Sequence, residues 1–501
     1  MDQQEYESLI HRLEAQAEND PKRFRAQVFL ISNCAYIALA LIFIACFTLL
    51  YWAYQWQQTR YGSTAILIGL VISIVSAFWV TLKAFLVRFS APTGYVLTPK
   101  NAPVLFEVLA KMRKKLNGPA FHHVVVDNEF NAAISQMPRW GLFGGYKNHL
   151  VIGLPYLFGV SPQEALATIA HEYGHVAGNH GKLGAWVYRQ RITFGELSDH
   201  LEKSKDGGLI ESIIYSLIDK LSPYFNAYTF VLSRQNEYEA DSTATQLVGA
   251  KANAIGLVRD ALLGNWYNRE FWPALYKQAN TRIEPAFKPY ANMQKIFAGN
   301  YDTWATPTKL QAAWRVQSDL HDTHPCLSDR VLATGEKPTL PPPINESAAS
   351  RFLGSLAYKI ADEFDNSWWN SEKTNWQTYH KRASTSRAKI QTFSQMASDS
   401  LSLLDLHELA MLSVEFDTTE KAKNLLQLLL ARPGGTFSKA EFEYGKILLN
   451  EKNEAGIAHI EKAALCDITL TEDCAHVGYY YLLDNKSEAA ANTFWQKIYS
   501  Q

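Results

Sequence analysis

Two stretches near the start of the chain carry no charge: Ala26 to Thr59, and Tyr61 to Leu82. Crossing a bilayer takes about 20 apolar residues, and both stretches are long enough. Only Gln57, Gln58, Thr59 and Arg60 part them, so the pattern predicts a tight transmembrane hairpin over residues 26–88. Tyr51, Trp52, Tyr54, Trp56 and Tyr61 gather at its turn, as an interfacial aromatic belt would. The first stretch starts too late and runs too long for a simple signal peptide. Lys22, Arg23 and Arg25 precede the hairpin, Lys83, Arg88 and Lys100 follow it, and its turn has only Arg60. By the positive-inside rule, residues 1–25, the second terminus and all that follows the hairpin stay cytoplasmic. The expectation is an integral membrane protein of two spans, with the lipid bilayer as a partner.

Beyond the hairpin the pattern changes. Residues 89–334 mix helical periodicity with short apolar runs, and Val124-Val125-Val126 and Leu150-Val151-Ile152 read as strands. This predicts a mainly α domain with a small β-sheet, of the α+β kind. Residues 335–346, with Pro338 and Pro341-Pro342-Pro343, read as a Pro-rich linker. Residues 347–501 read as helical. In them Ala422, Ala455 and Ala489 recur 33 or 34 residues apart, as do Gly445 and Gly478. That period resembles tetratricopeptide repeats, stacked helix pairs that hold protein partners. An adaptor protein bound by this tail is the partner it implies.

Composition narrows the classes. Of 501 residues, 48 are Lys or Arg and 49 Asp or Glu, so no overall basic field draws the chain to nucleic acid. The five Cys residues form no CxxC pair, which argues against a disulfide framework and agrees with a reducing compartment.

The chemistry centres on one helix. Ser161-Pro162-Gln163-Glu164 is a capped start, and the helix continues into His171-Glu172-Tyr173-Gly174-His175. His171 and His175, four residues apart, lie on one helix face and can share one Zn²⁺. Glu172 sits beside them and can act as general base on the water that the metal activates. A zinc site needs a third protein ligand. His180 falls on the opposite face and reads as structural. Glu237 and Asp241, in Glu237-Tyr238-Glu239-Ala240-Asp241, share a helix face. Glu237 is the expected third ligand, and Asp241 the second-shell acceptor for the other ring N–H of a ligand His. Glu239 points away from that face.

Two apolar spans followed by "HEYGH", "SRQNEYEAD" and "THPCLSDR" resemble the membrane zinc endopeptidases related to HtpX and to the CAAX prenyl protease. The likeness covers about Tyr95 to Leu332. It implies a zincin-like fold of gluzincin type, with His171, His175 and Glu237 as metal ligands, Glu172 as catalytic base and Asp241 as supporting carboxylate. It further implies that Asn131 lies near substrate and that His324 steadies the oxyanion. Arg234 and Arg330 recur in its motifs. Such a protein belongs in a bacterial inner membrane and takes part in protein quality control. The family usually adds hydrophobic helices after the zinc helix. Here Glu211, Asp219 and Lys220 interrupt residues 209–221, which read instead as a soluble amphipathic connection.

Together these readings predict a membrane-anchored zinc endopeptidase with protein or peptide substrates. The strand around Leu150 and Ile152 is the expected edge on which an extended peptide would lie. The alternative is an inactive, membrane-tethered scaffold that binds protein partners through its tail.

Overall fold

The computed structural model describes residues 3–59, 63–85, 92–138, 146–177, 183–184, 186–187, 190–191, 209–318, 324–397 and 400–500. His180 lies outside them. The chain is mostly helical with one small sheet, and it forms two compact units. The first comprises residues 1–271 and 287–367, the second residues 272–286 and 368–501.

The first unit begins with three helices, α1 (Gln3–Asn19), α2 (Pro21–Gln57) and α3 (Thr64–Phe85). Asp20 caps α2 by accepting from the Arg23 N–H, and Pro21 fits the first helical position. α2 is long and apolar enough to cross a membrane, whereas the apolar run in α3, Thr64–Trp79, is shorter. Both helices turn large apolar side chains outward, among them Leu41, Ile44 and Phe47 on α2 and Ile68, Ile72 and Val75 on α3.

A sheet follows: β1 (Tyr95–Leu97), β2 (His123–Asp127), β3 (Ala132–Pro138) and β4 (Tyr146–Gly153), with α4 (Pro103–Leu116) between β1 and β2. The strand order is β1-β2-β4-β3; β4 pairs parallel to β2 and antiparallel to β3. The sequence reading put the substrate edge at Leu150 and Ile152, and here the structure differs. β4 is paired on both sides, and both side chains are fully buried. Its continuous apolar run marks a strand covered on both faces rather than an edge. Among the described residues, the edge on that side is β3.

After the sheet come α5 (Leu154–Gly159), α6 (Pro162–Val176), α7 (Leu209–Val248) and α8 (Ala250–Trp266). α6 lies against β3, α7 and α8. Residues 209–221 are not a separate connection but the first turns of α7, a continuous 40-residue helix. Ile214 and Ile218 are buried with Leu39 and Cys46 of α2 and Ile74 and Ala77 of α3. The charges that seemed to break this segment share a helix with an apolar stripe, and Asp219 and Lys220 are exposed. Further along α7, Phe225, Phe230 and Val231 pack with Ile10 and Leu13 of α1 and with Phe24 and Val28 of α2.

The Pro-rich stretch is held by this unit: Arg259 donates to the Pro342 carbonyl at 2.6 Å and Tyr301 to the Pro341 carbonyl at 2.8 Å. The last of the three crossings between units, after Ser367, falls inside the helix Ser355–Ser394.

In the second unit, consecutive helices pack in pairs: Leu403–Phe416 with Thr419–Ala431, Ser438–Asn450 with Gly456–Cys466, and Thr471–Asn485 with Glu488–Tyr499. Gly445 and Gly478 occupy the same place in successive pairs. A β-carbon on Gly445 would meet Ile460 at 2.9 Å, and one on Gly478 would meet Phe494 at 2.2 Å. The alanine echo has no such basis: Ala422 is buried, while Ala455 and Ala489 are exposed.

Candidate metal centre

The site is built on the start of α6. Ser161 accepts from the Glu164 N–H at 3.3 Å, and the Ser161 N–H donates to Glu164 Oε2 at 2.6 Å, closing a reciprocal cap. Glu164 also receives the buried Arg259 Nε at 3.0 Å. These contacts fix the first turn, and the helix carries His171, Glu172 and His175 toward α7 and β3.

The two imidazoles converge. His171 Nε2 and His175 Nε2 lie 3.3 Å apart. From α7, Glu237 Oε2 comes within 3.5 Å of His171 Nε2, and Oε1 within 3.4 Å of His175 Nε2. Two ligands each 2.0–2.1 Å from a tetrahedral ion are about 3.3 Å apart, so this spacing fits zinc. His171, Glu172 and His175 also offer ligand atoms within 4.8 Å of one another. The set with Glu237 is tighter, and Glu172 is engaged elsewhere. Glu237 Oε2 is buried and faces two imidazoles, His171 Nε2 at 3.5 Å and His324 Nδ1 at 3.0 Å.

Asp241, one turn beyond Glu237, has its Oδ1 2.8 Å from His171 Nδ1. A carboxylate there holds the proton on Nδ1 and leaves the Nε2 lone pair free. Arg330, on α9 (Leu327–Ala333), grips Asp241 with both arms, Nε to Oδ2 at 2.9 Å and Nη2 to Oδ1 at 2.8 Å. A two-pronged guanidinium contact fixes the plane of the carboxylate.

The electrostatics are those of a cation site. Burial works against a charged His171, but the Asp241 and Glu237 carboxylates prevail and hold it at about 9. His175 is pushed down to about 4, by burial and then by His171. Burial would raise Glu237, yet its contacts with His171 and His324 hold it well below the usual carboxylate range. Asp241 is likewise held down against burial, by Arg330 and His171.

Glu172 faces the sheet. Its Oε2 accepts from the Ile134 N–H of β3 at 3.3 Å, and Oε1 is 4.0 Å from His171 Nε2. Burial raises its pKa, as suits a group that must both take and return a proton. Neighbouring residues on an antiparallel strand alternate in where they point their backbone groups. The Ile134 contact therefore puts the N–H groups of Ala132, Ile134 and Gln136 on the outer side of β3.

The other expected residues fall as follows. His324 is exposed, with Nδ1 3.0 Å from Glu237 Oε2. Asn131 lines the same cavity as Glu172 and accepts from the Ala132 N–H at 2.8 Å. Leu150 and Ile152 are buried in the sheet and cannot meet a peptide. Glu239 pairs with Arg25 and Arg234 with Glu14, on the side of α7 that meets α1 and α2. The cavity beside Glu172 measures about 320 Å³ and is also lined by Thr168, Asn253 and Asp260, which the sequence reading did not single out. Thr168 was within reach, being four residues before Glu172 on one helix face. Asp260 carried a weaker signal, an acid beside Arg259 within the apolar run Leu257 to Leu263.

Residues 110–336 match the family model of Peptidase family M48. Protease HtpX of Psychrobacter sp. (strain PRwf-1) is 28% identical over 196 residues, which cover 36% of this chain and 61% of that protein. The match thus spans about three fifths of the relative's length. The matched residues 110–336 contain the His-Glu-His helix and are similar to that family.

Proposed function

We propose that this chain is a membrane-anchored zinc endopeptidase that cuts protein or peptide substrates. The observation that carries the reading is the meeting of His171, His175 and Glu237 at 3.3–3.5 Å, with Glu172 alongside. His171 and His175 would hold one Zn²⁺ through Nε2, and Glu237 through its carboxylate. When bound, the ion supplies Lewis acidity, acidifying water and polarising a peptide carbonyl.

The chain's own groups do the rest. Glu172 takes a proton from the attacking water on a carboxylate oxygen and returns it to the leaving amide nitrogen. Asp241 and Arg330 keep His171 oriented. An extended peptide pairs with the outward backbone groups of β3, so main-chain contacts hold it and side-chain pockets set preference. His324, exposed beside Glu237, is in reach of a substrate oxygen. Asn131 braces the start of β3.

The outward apolar band of α2 and α3 supports a lipid surround, since side chains such as Leu41, Ile44 and Ile72 would be costly in water. The basic flank of α2, Lys22, Arg23 and Arg25, favours a cytoplasmic catalytic domain. A bacterial inner membrane and protein quality control are the setting that the family resemblance implies. The paired helices of residues 403–499 would serve to recruit an adaptor or substrate. The scaffold alternative is disfavoured, because the ligand set and the base are both complete.

The test is Glu172→Gln. Cleavage of an unfolded protein such as casein should fall by about 10²-fold or more, with zinc content unchanged. Undiminished cleavage would reject Glu172 as base. Absence of chelator-sensitive cleavage by the wild-type chain would reject the peptidase reading.

A further inference from the structure

Within the apolar run of α8, Leu257 to Leu263, stands the charged pair Arg259-Asp260. Arg259 is answered by Glu164 and by the Pro342 carbonyl. Asp260 is not. Its Oδ2 meets only the Thr168 hydroxyl, at 3.4 Å, and its Oδ1 is buried with no hydrogen-bond partner among the described residues. Arg330, the other cation in this region, is committed to Asp241. A buried carboxylate left this way is expensive unless something arrives to pair with it.

Asp260 lines the cavity of about 320 Å³ that Glu172 and His171 also line. Thr168, its neighbour, lies one helical turn before Glu172. Leu257, Ala261 and Leu327 form apolar wall. The cavity thus sets Asp260 and apolar sides beside the cleaving groups; His324 and Arg330 also line it, the latter bound to Asp241. Long basic side chains match both, since their stems bury well against apolar surface while the head carries the charge. An apolar side chain would leave Oδ1 without a partner. Burial first, and Glu164 second, push the Asp260 carboxyl up to about 7, so an arriving cation would also draw it into its ionised form.

We propose that this cavity receives one substrate side chain beside the scissile bond, and that Asp260 selects lysine or arginine there by accepting from its cationic head. The proposal rests on the peptidase reading and narrows its substrate class. Asp260 acts on specificity and takes no part in bond breaking.

The experiment uses the full-length chain in detergent, with Glu172→Gln as a non-cutting trap. Peptides carry a single lysine moved stepwise along an otherwise neutral sequence, each paired with a norleucine version. At one position lysine should bind about tenfold tighter or more, the size of a charge-assisted hydrogen bond. That preference should vanish in the Glu172→Gln, Asp260→Asn double variant. Equal binding of lysine and norleucine at every position, or a preference that survives Asp260→Asn, overturns the proposal. Should the double variant fail to fold, the norleucine comparison decides alone. Cleavage of the same peptides by the wild-type chain, mapped by mass spectrometry, separates the two claims. Cutting without a basic preference next to the cut bond overturns the pocket assignment alone. Lysine-dependent binding without any cutting overturns the peptidase reading alone.

Discussion

A β-carbon added to Gly174 would lie 3.0 Å from the Cα of Ala240. Gly174 stands between the two histidines of α6, and Ala240 between the two carboxylates of α7. The absence of a side chain at residue 174 therefore sets how closely the imidazoles approach Glu237 and Asp241. Gly174→Val should cost about 1–3 kcal/mol through overpacking and lower zinc affinity as well. Gly256→Ala is the control: its nearest contact would be an ordinary 3.6 Å. Removing a mid-helix glycine there should stabilise by about 0.5–1 kcal/mol. Chemical denaturation of both variants checks the pair, and equal effects would contradict this account.

In the proposed site Asp241 and Arg330 would act on the metal through His171. Asp241→Asn or Arg330→Ala should weaken zinc binding about 10- to 100-fold, read by competition with a chelating dye. Glu239→Gln, on the other side of α7, should leave the affinity unchanged. Loss of affinity in Glu239→Gln alone would assign the supporting carboxylate wrongly.

The outer N–H of Ile134 can be removed without breaking the ladder to β4, because it points to Glu172 instead. Proline is tolerated at such edge positions. Ile134→Pro should keep its fold and zinc yet lose most of its cleavage, while Ile134→Val should resemble wild type. Peptide turnover beside metal content is the measurement, and full activity in the proline variant would refute a role for the Ile134 N–H in holding Glu172.

The local parts of the site are legible in the sequence because they are helical. A capped start and two residues four apart fix the geometry of His171 and His175 without knowledge of the fold. Glu237 and Asp241 are legible as a pair, but their approach to α6 depends on Gly174 and Ala240, far apart in the chain. The sheet is harder to read. Ala132–Pro138 contains serine, glutamine and proline, a weak strand pattern, so the true edge passes unnoticed. Leu150-Val151-Ile152 looks like the edge because in sequence it lies shortly before the His-Glu-His helix. The start of α7 misleads for the opposite reason, since its charges mask a stripe that packs on α2 and α3. Asp260 shows no motif at all, because only the folded chain brings it near Thr168 and Glu172.

Asp260 also shapes the response to pH. Buried beside Thr168 and Tyr156, with Glu164, Arg259 and Arg330 as its charged neighbours, its carboxyl stands at about 7, against about 3.9 in an unfolded chain. Between those values the folded state keeps a proton that the unfolded state has released. Stability from this group is therefore full below about pH 4 and is lost as pH rises through 7. The loss is on the order of a few kcal/mol. Asp260→Asn should remove it, so the variant should gain in melting temperature over wild type at pH 8 but not at pH 4.5. The comparison is made with chelator present, and a gain that does not depend on pH would count against the buried carboxyl.

The coordination of zinc in the purified full-length chain bears most directly on the whole account. X-ray absorption and metal counting should find one ion per chain, bound by two imidazole nitrogens and carboxylate oxygen in the wild type. Glu237→Ala should lose that ion under the same dialysis. If Glu237→Ala kept one zinc with an unchanged set of neighbouring atoms, the meeting of α6 and α7 would not be the metal centre.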